Sequence, residues 1–324
     1  MAVRIRSLWL DYREAASDDL LCNLSTVAVA GDFLWTASDE GRTLECLAPD
    51  GKGYRLHRQV SLDSLFSDLP KDAKDKKPAE ADIESIDVAH GRLWVCGSHC
   101  RVRKQRKTTQ DTVDPDFRKR PSRHLLGSVP LSKSGGRPDG EAAALPFCGT
   151  QSLRHFLGGN PYLAPFVELP SKENGLDIEG MVVRRNRLFL GLRGPRVDSI
   201  AIVIELAIAD GLAVLDDSAV THFLDLAGLG VRDLARLDGG IAVLAGPVGD
   251  ASGPFGVFAW NPRRTEKIQR PPQLHAWPVS VEKPEGICRL DRDGRQGVVV
   301  LYDSPDPDYR IKDSRYRADW LFGL

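Results

Sequence analysis

A single all-β domain built as a β-propeller is the fold class that the sequence predicts, on three observations. A strand–turn–strand pattern recurs five times along the 324 residues. The polar residue opening each copy returns at intervals of about 50–60 residues, the size of a four-stranded blade with long loops. Thirty glycines and twenty-one prolines mark a turn-rich chain, and long amphipathic helical periodicity is scarce. Five blades are the simplest count. Six is the alternative, because the long step from Glu84 to Glu179 holds either one blade with an insertion or two blades.

The elements follow in chain order. Residues 3–10 read as a strand without a local partner, and Arg4 and Arg6 interrupt any signal-peptide pattern. The first hairpin, 24–39, turns at Gly31-Asp32, and residues 43–47 and 54–60 supply its outer strands. Residues 61–69 suit a short helix, and 68–81 form a Lys-rich loop. The second hairpin, 83–99, turns at His90-Gly91, with outer strands at 123–131 and 141–145. Between them lies an insertion, 101–123, dense in Arg and Lys but carrying Asp111, Asp114 and Asp116. It reads as an exposed loop of mixed charge or as a phosphate or nucleic-acid contact. A second insertion, about 150–175, is irregular and partly helical over 150–157. The third hairpin, 176–195, turns at Arg185-Asn186, where Asn tolerates positive φ. Residues 199–208 and 213–224 complete that blade. The fourth, 232–247, turns at Asp238-Gly239 and is completed by 256–260 and 273–279. The fifth, 284–304, turns through Asp291–Gly294 and has only 318–322 after it, one strand short. Pairing this end with residues 3–10 would close the ring and hide an edge.

Composition narrows the function classes. A net charge of −1 gives no field that recruits nucleic acid or a membrane surface, and no apolar run reaches membrane-spanning length. The six cysteines are scattered, as expected of reduced thiols in a cytoplasmic protein. Cys96, His99 and Cys100 lie close enough for a zinc reading, but no second pair completes four ligands.

The hairpins imply a site. In an antiparallel pair the start of one strand lies beside the end of the next. Each copy opens with a polar residue at one place: Ser25, Glu84, Glu179, Asp233 and Glu285. Asp39, His99, Arg193 and Asp303 then fall at the same rim, so nine residues are expected at one mouth of the central channel. Crowded carboxylates raise one another's pKa or demand a cation, and a hard ion such as calcium takes six to eight oxygens. Glu84, Glu179, Asp233 and Glu285 are the candidate metal ligands. Ser25, Asp39 and Asp303 are candidate ligand-binding residues. Glu84, His99 and Arg193 are the candidate catalytic set, the first two as bases and Arg193 as partner of a small anionic substrate.

The segments ADIESIDV (81–88), GRLWVCGSH (91–99), GLDIEGMVV (175–183), RLFLGLRGP (187–195) and KPEGICRL (283–290) carry a resemblance. They resemble the bacterial family catalogued as domain of unknown function 3616, which is grouped with β-propellers. The D-x-E-G pattern is also similar to that of phytase-like esterases and, more loosely, of calcium-dependent lactonases and organophosphate hydrolases. That similarity implies that Glu84, Glu179, Asp233 and Glu285 form a metal ring. Ser25 departs from it, and a His-Asp dyad of the lactonase kind is missing. Two functions follow: a calcium-dependent hydrolase of phosphoesters or lactones, or a non-catalytic propeller that binds a ligand or a protein.

Overall fold

Short apolar runs rich in β-branched residues, broken by Gly, Asn and Asp, leave the chain few options besides antiparallel hairpins. The computed structural model describes residues 3–71, 79–103, 115–249, 252–264, 266–278 and 282–324. Over these residues it is all-β, and its longest helix spans six residues. None of those helices is long and apolar enough to cross a membrane.

Strand β1 (Arg4–Asp11) precedes a first unit of β2 (Leu24–Ala30), β3 (Phe33–Ser38), β4 (Thr43–Asp50) and β5 (Gly53–Ser61). The second unit holds β6 (Ile83–Ala89) and β7 (Arg92–Gly97). It continues past the small ribbon of β8 (Val102–Arg103) and β9 (Phe117–Arg118) to β10 (Leu126–Pro130) and β11 (Ala143–Ala144). The third holds β12 (Asp177–Arg184), β13 (Arg187–Gly194), β14 (Ala201–Ala209), β15 (Leu212–Val214) and β16 (Val220–Leu224). The fourth holds β17 (Gly230–Leu237), β18 (Gly240–Gly246), β19 (Phe255–Trp260) and β20 (Gln273–Trp277). The last holds β21 (Lys283–Arg289), β22 (Gly297–Asp303), β23 (Ile311–Lys312) and β24 (Arg315–Phe322). Short helices α1 (Asp18–Leu21), α2 (Leu62–Leu65), α3 (Leu153–Gly158) and α4 (Pro307–Arg310) sit in the connections.

The five first strands touch in a closed cycle: β2 against β6, β6 against β12, β12 against β17, β17 against β21, and β21 against β2. Each unit adds its later strands outward by antiparallel pairing, and five buried apolar clusters fill the successive interfaces. The result is a propeller-like array. It is irregular in two places. In the third unit β15 and β16 share one edge of β14. In the last, β24 pairs with β22 and then with β1 along its whole length, from Arg4 opposite Phe322 to Asp11 opposite Arg315. The N-terminal strand therefore supplies the missing outer strand, as expected. It also makes a two-residue parallel contact with β5, which merges the first and last units into one nine-stranded sheet.

Most turns fall where expected. Gly31, His90, Gly91, Gly239 and Gly294 all have positive φ. At the third turn the expectation was wrong by one residue: Arg185, not Asn186, takes positive φ, at 55°. The expected helices at 61–69 and 150–157 shrink to α2 and α3. Residues 72–78 of the Lys-rich loop and 104–114 of the basic insertion, with Asp111 and Asp114, lie outside the described residues. All six cysteines are unpaired. Cys96 and Cys100 point their thiols at the Gly97 carbonyl and the Asp82 carboxylate respectively.

Candidate functional site

Each inner strand carries a β-bulge near its start. The register breaks between Leu24 and Thr26, Ile83 and Ser85, Ile178 and Gly180, Val231 and Asp233, and Pro284 and Ile287. The residues set out of register are Ser25, Glu84, Glu179, Arg232 and, beside Gly286, Glu285. A bulge re-aims a side chain, and these five all lie at one end of the channel. The next residue in each strand faces the neighbouring inner strand. Thr26 and Ser85 accept hydrogen bonds there from the Ile86 and Met181 N–H groups, at 2.9 and 2.8 Å. Asp233 does the same for Ile287, at 2.8 Å. Gly180 and Gly286 take this place in the other two strands. A Cβ on Gly180 would lie 2.9 Å from Leu234 Cγ, and one on Gly286 would lie 2.9 Å from the Ser25 carbonyl. The glycine of the E-G signature is therefore a packing requirement.

Three of the bulged residues, Glu84, Arg232 and Glu285, line a polar cavity of about 400 Å³ whose lining also includes Asp39, Asp82, Asp177 and Asp303 with Arg123, Arg193 and Lys283. Glu179 lies just beneath, 1% exposed. Its two oxygens are 2.7 Å from Arg193 and 3.0 Å from Arg232, at ion-pair distance but off hydrogen-bond alignment. Arg193 also donates to Asp177 at 2.6 Å, and Arg232 donates to both oxygens of Glu285. Burial opposes both guanidinium charges, but Asp177 and Glu179 at Arg193, and Glu179 and Glu285 at Arg232, outweigh it and hold both pKa values above the usual arginine range. Four carboxylates (Glu84, Asp177, Glu179, Glu285) thus face two fixed cations. All four have raised pKa values, with burial the main cause.

Glu84 differs from the other three. Among the described residues it has no ion pair or hydrogen-bond partner, and its pKa rises well above the carboxylate range through burial and then the charge of Glu179. One Glu84 oxygen groups with oxygens of Asp39 and Asp82, and one with oxygens of Glu179 and Glu285, each trio lying within 4.8 Å. Asp82 is held by Arg123 at 2.7 Å and by the Ser98 hydroxyl. Asp39 accepts the Glu40 N–H at 2.9 Å, and burial followed by the charge of Asp82 pushes its pKa up to about 8. Asp303 lies 3.6 Å from Lys283.

Three expected residues are placed elsewhere. Asp233 is directed between strands, with its oxygens taken by the N–H groups of Leu234 and Ile287 and by the Ser85 hydroxyl, each at 2.8 Å. Arg232 holds the position expected of it. Ser25 is 3% exposed and spends its hydroxyl on the carbonyls of Ile83 and Ala37. His99 is 1% exposed, bonds the Leu125 carbonyl at 3.2 Å and stacks on His124 with centroids 5.5 Å apart. Burial and then His124 hold its pKa well below the usual imidazole value, so it stays neutral and away from the cavity.

Asp82, Arg123, Asp177, Arg232 and Lys283 were not anticipated. A signal for Arg232 was available: every bulged residue lies six positions before the first residue of its turn, from Ser25 and Gly31 to Glu285 and Asp291. Counting back from Asp238 reaches Arg232, and Asp233 falls at the strand-facing place.

The family described as Protein of unknown function (DUF3616) matches residues 23–319, which takes in all five inner strands and the whole cavity. The chain belongs to this family. No curated protein matches the DUF3616 chain by sequence. Among solved structures it is similar to a glutaminyl cyclase from Myxococcus xanthus, at 10% identity and TM-score 0.47, covering 99% of this chain and 95% of the other. It is similar to the Mala s 1 allergen of Malassezia sympodialis at 10% identity and TM-score 0.42, covering 92% and 77%. The Cps50 (Swd1) β-propeller domain from Myceliophteria thermophila is also similar, at 10% identity and TM-score 0.36, covering 92% and 98%. Likenesses this distant say nothing about what the DUF3616 chain acts on.

Proposed function

We propose that the chain is a single-domain propeller of five blades, one per unit, whose channel mouth is a calcium-dependent hydrolase of phosphoesters or lactones. The observation that carries this reading is the Glu84 carboxylate, without a partner among the described residues and with a raised pKa, set between Asp39 and Asp82 on one side and the arginine-held Glu179 and Glu285 on the other. The three carboxylates offer up to five oxygens besides the Asp82 oxygen that Arg123 and Ser98 hold, and water completes the coordination that a hard cation wants. The trio of Glu84, Glu179 and Glu285 fits worse. Arg193 and Arg232 already neutralise two of its members and would repel an ion there.

A bound cation would polarise the scissile oxygen and make a water molecule a better nucleophile. Asp39 and Glu84 lose their raised pKa values beside a cation, and a carboxylate oxygen of this pair takes the water's proton. Arg193 and Arg232, held by Asp177, Glu179 and Glu285, bind the negative charge that develops on the substrate. His99 takes no part. Unpaired, mostly buried cysteines support a reducing, cytoplasmic setting.

Thermal melting with calcium, magnesium and manganese tests the site. Calcium is expected to raise the midpoint, adding about 2.7 kcal/mol of stability at a hundredfold excess over Kd. Glu84→Gln abolishes the shift. Generic phosphoesters or lactones are turned over only with the cation, and Glu84→Gln loses ~100-fold or more. No shift with any of the three ions sinks the cation site. A shift without turnover leaves a binding propeller.

A further inference from the structure

A second cleft lies on the flank of the molecule and shares no lining residue with the mouth. It measures about 670 Å³ and is walled by Pro121, Phe147 and Val167, with Arg101, Arg154 and Lys119 among its polar groups. Arg101 opens β8's segment at the bridge to Pro170, and Arg154 projects from α3. Both guanidiniums are nearly buried, with side chains 9% and 11% exposed, yet they share one carboxylate, that of Glu168, which is 66% exposed. Arg101 donates to it, and Arg154 lies 3.9 Å from it while bonding the His99 and Val167 carbonyls. Nε of Arg101 is buried without a hydrogen-bond partner. Glu168 is the one acid among the described lining residues, and Lys119 and His155 add donors at the rim.

Among the described residues these two buried cations have a single, solvated counter-charge, which leaves positive charge uncompensated in a place where charge wants a partner. We propose that this cleft binds a small organic oxyanion, a phosphate monoester or a carboxylate. Its anionic head displaces Glu168 from Arg101 and Arg154, and its apolar body lies against Phe147 and Val167. The basic insertion that opens at Arg101 then has a ligand role through Arg101 and Lys119.

Isothermal titration calorimetry of the full chain at low salt, with inorganic phosphate, phenyl phosphate and benzoate as separate probes, tests this. Saturable binding of phenyl phosphate or benzoate is expected, weakening as salt is raised. Glu168→Gln removes the internal competitor and tightens binding by about threefold, the scale of an exposed ion pair. Lys119→Ala, at an exposed position that the fold does not need, weakens it by about threefold. Absence of binding to both the wild type and Glu168→Gln overturns the proposal. So does binding that neither variant changes, because the anion then sits elsewhere, such as on Arg193 and Arg232. Binding of inorganic phosphate alone also overturns it, since the apolar wall would have no role.

Discussion

Asp39 and Glu84 hold protons in the folded chain at a pH where the unfolded chain has released them, because both pKa values are raised. Their contribution to stability is full in the acid range below the ordinary carboxylate pKa. It is lost as pH rises, for Asp39 up to about 8. Asp39→Asn removes that loss. Its melting temperature is expected to exceed the wild type's by about 2 °C or more at pH 8.5 and to match it near pH 4. Calcium should erase the difference at high pH, and a variant no more stable than wild type at pH 8.5 contradicts the assignment. Asp233 makes the opposite case. Its carboxylate serves two buried N–H groups and a hydroxyl, so Asp233→Ala should cost about 3 kcal/mol in urea unfolding while leaving the cation response intact. Loss of that response would return Asp233 to the ring of ligands. These two acids show how far the site was legible. Glu84, Glu179 and Glu285 could be read because each opens a recognisable hairpin. Asp233 misled because the eye follows chemical type, whereas the bulge follows distance from the turn, and that distance selects Arg232. Asp82 and Asp177 were missed because they stand two residues before their bulged glutamates, and only three-dimensional packing brings them to the rim.

At the scale of elements, the hairpin turns and most outer strands followed from alternation and turn chemistry, but the strand expected over 213–224 divides into β15 and β16. The bulges did not, since a single extra residue leaves no mark in the hydrophobic pattern. Strand β1 is the most consequential element. It pairs with β24 over eight residues, and Leu8 and Leu10 are fully buried. Removing residues 1–11 leaves the outer edge of β24 open, a template for pairing with other chains. The truncated chain is expected to form soluble oligomers by size-exclusion chromatography with light scattering. A peptide of residues 3–11 added in trans should restore the monomer. A truncated chain that stays monomeric without the peptide would show that β24 needs no cover.

Across the whole molecule, closure was readable from one missing strand at one end of the chain and one spare strand at the other. The merging of the first and last units was not, because the contact of β1 with β5 involves only Leu10 and Asp11 and leaves no sequence signature. The cycle of inner strands is stapled by side chains rather than by backbone pairing, through Thr26, Ser85, Asp87 and Asp233. The cavity above it packs its acids against Arg123, Arg193, Arg232 and Lys283. Closure also sets an order of events. On the ribosome β1 is made before the other described strands and its partner β24 after them, so all five units must be made before the outer sheet can complete. Until then the nascent chain carries β1 unsatisfied, and that interval is when a chaperone would have most to do.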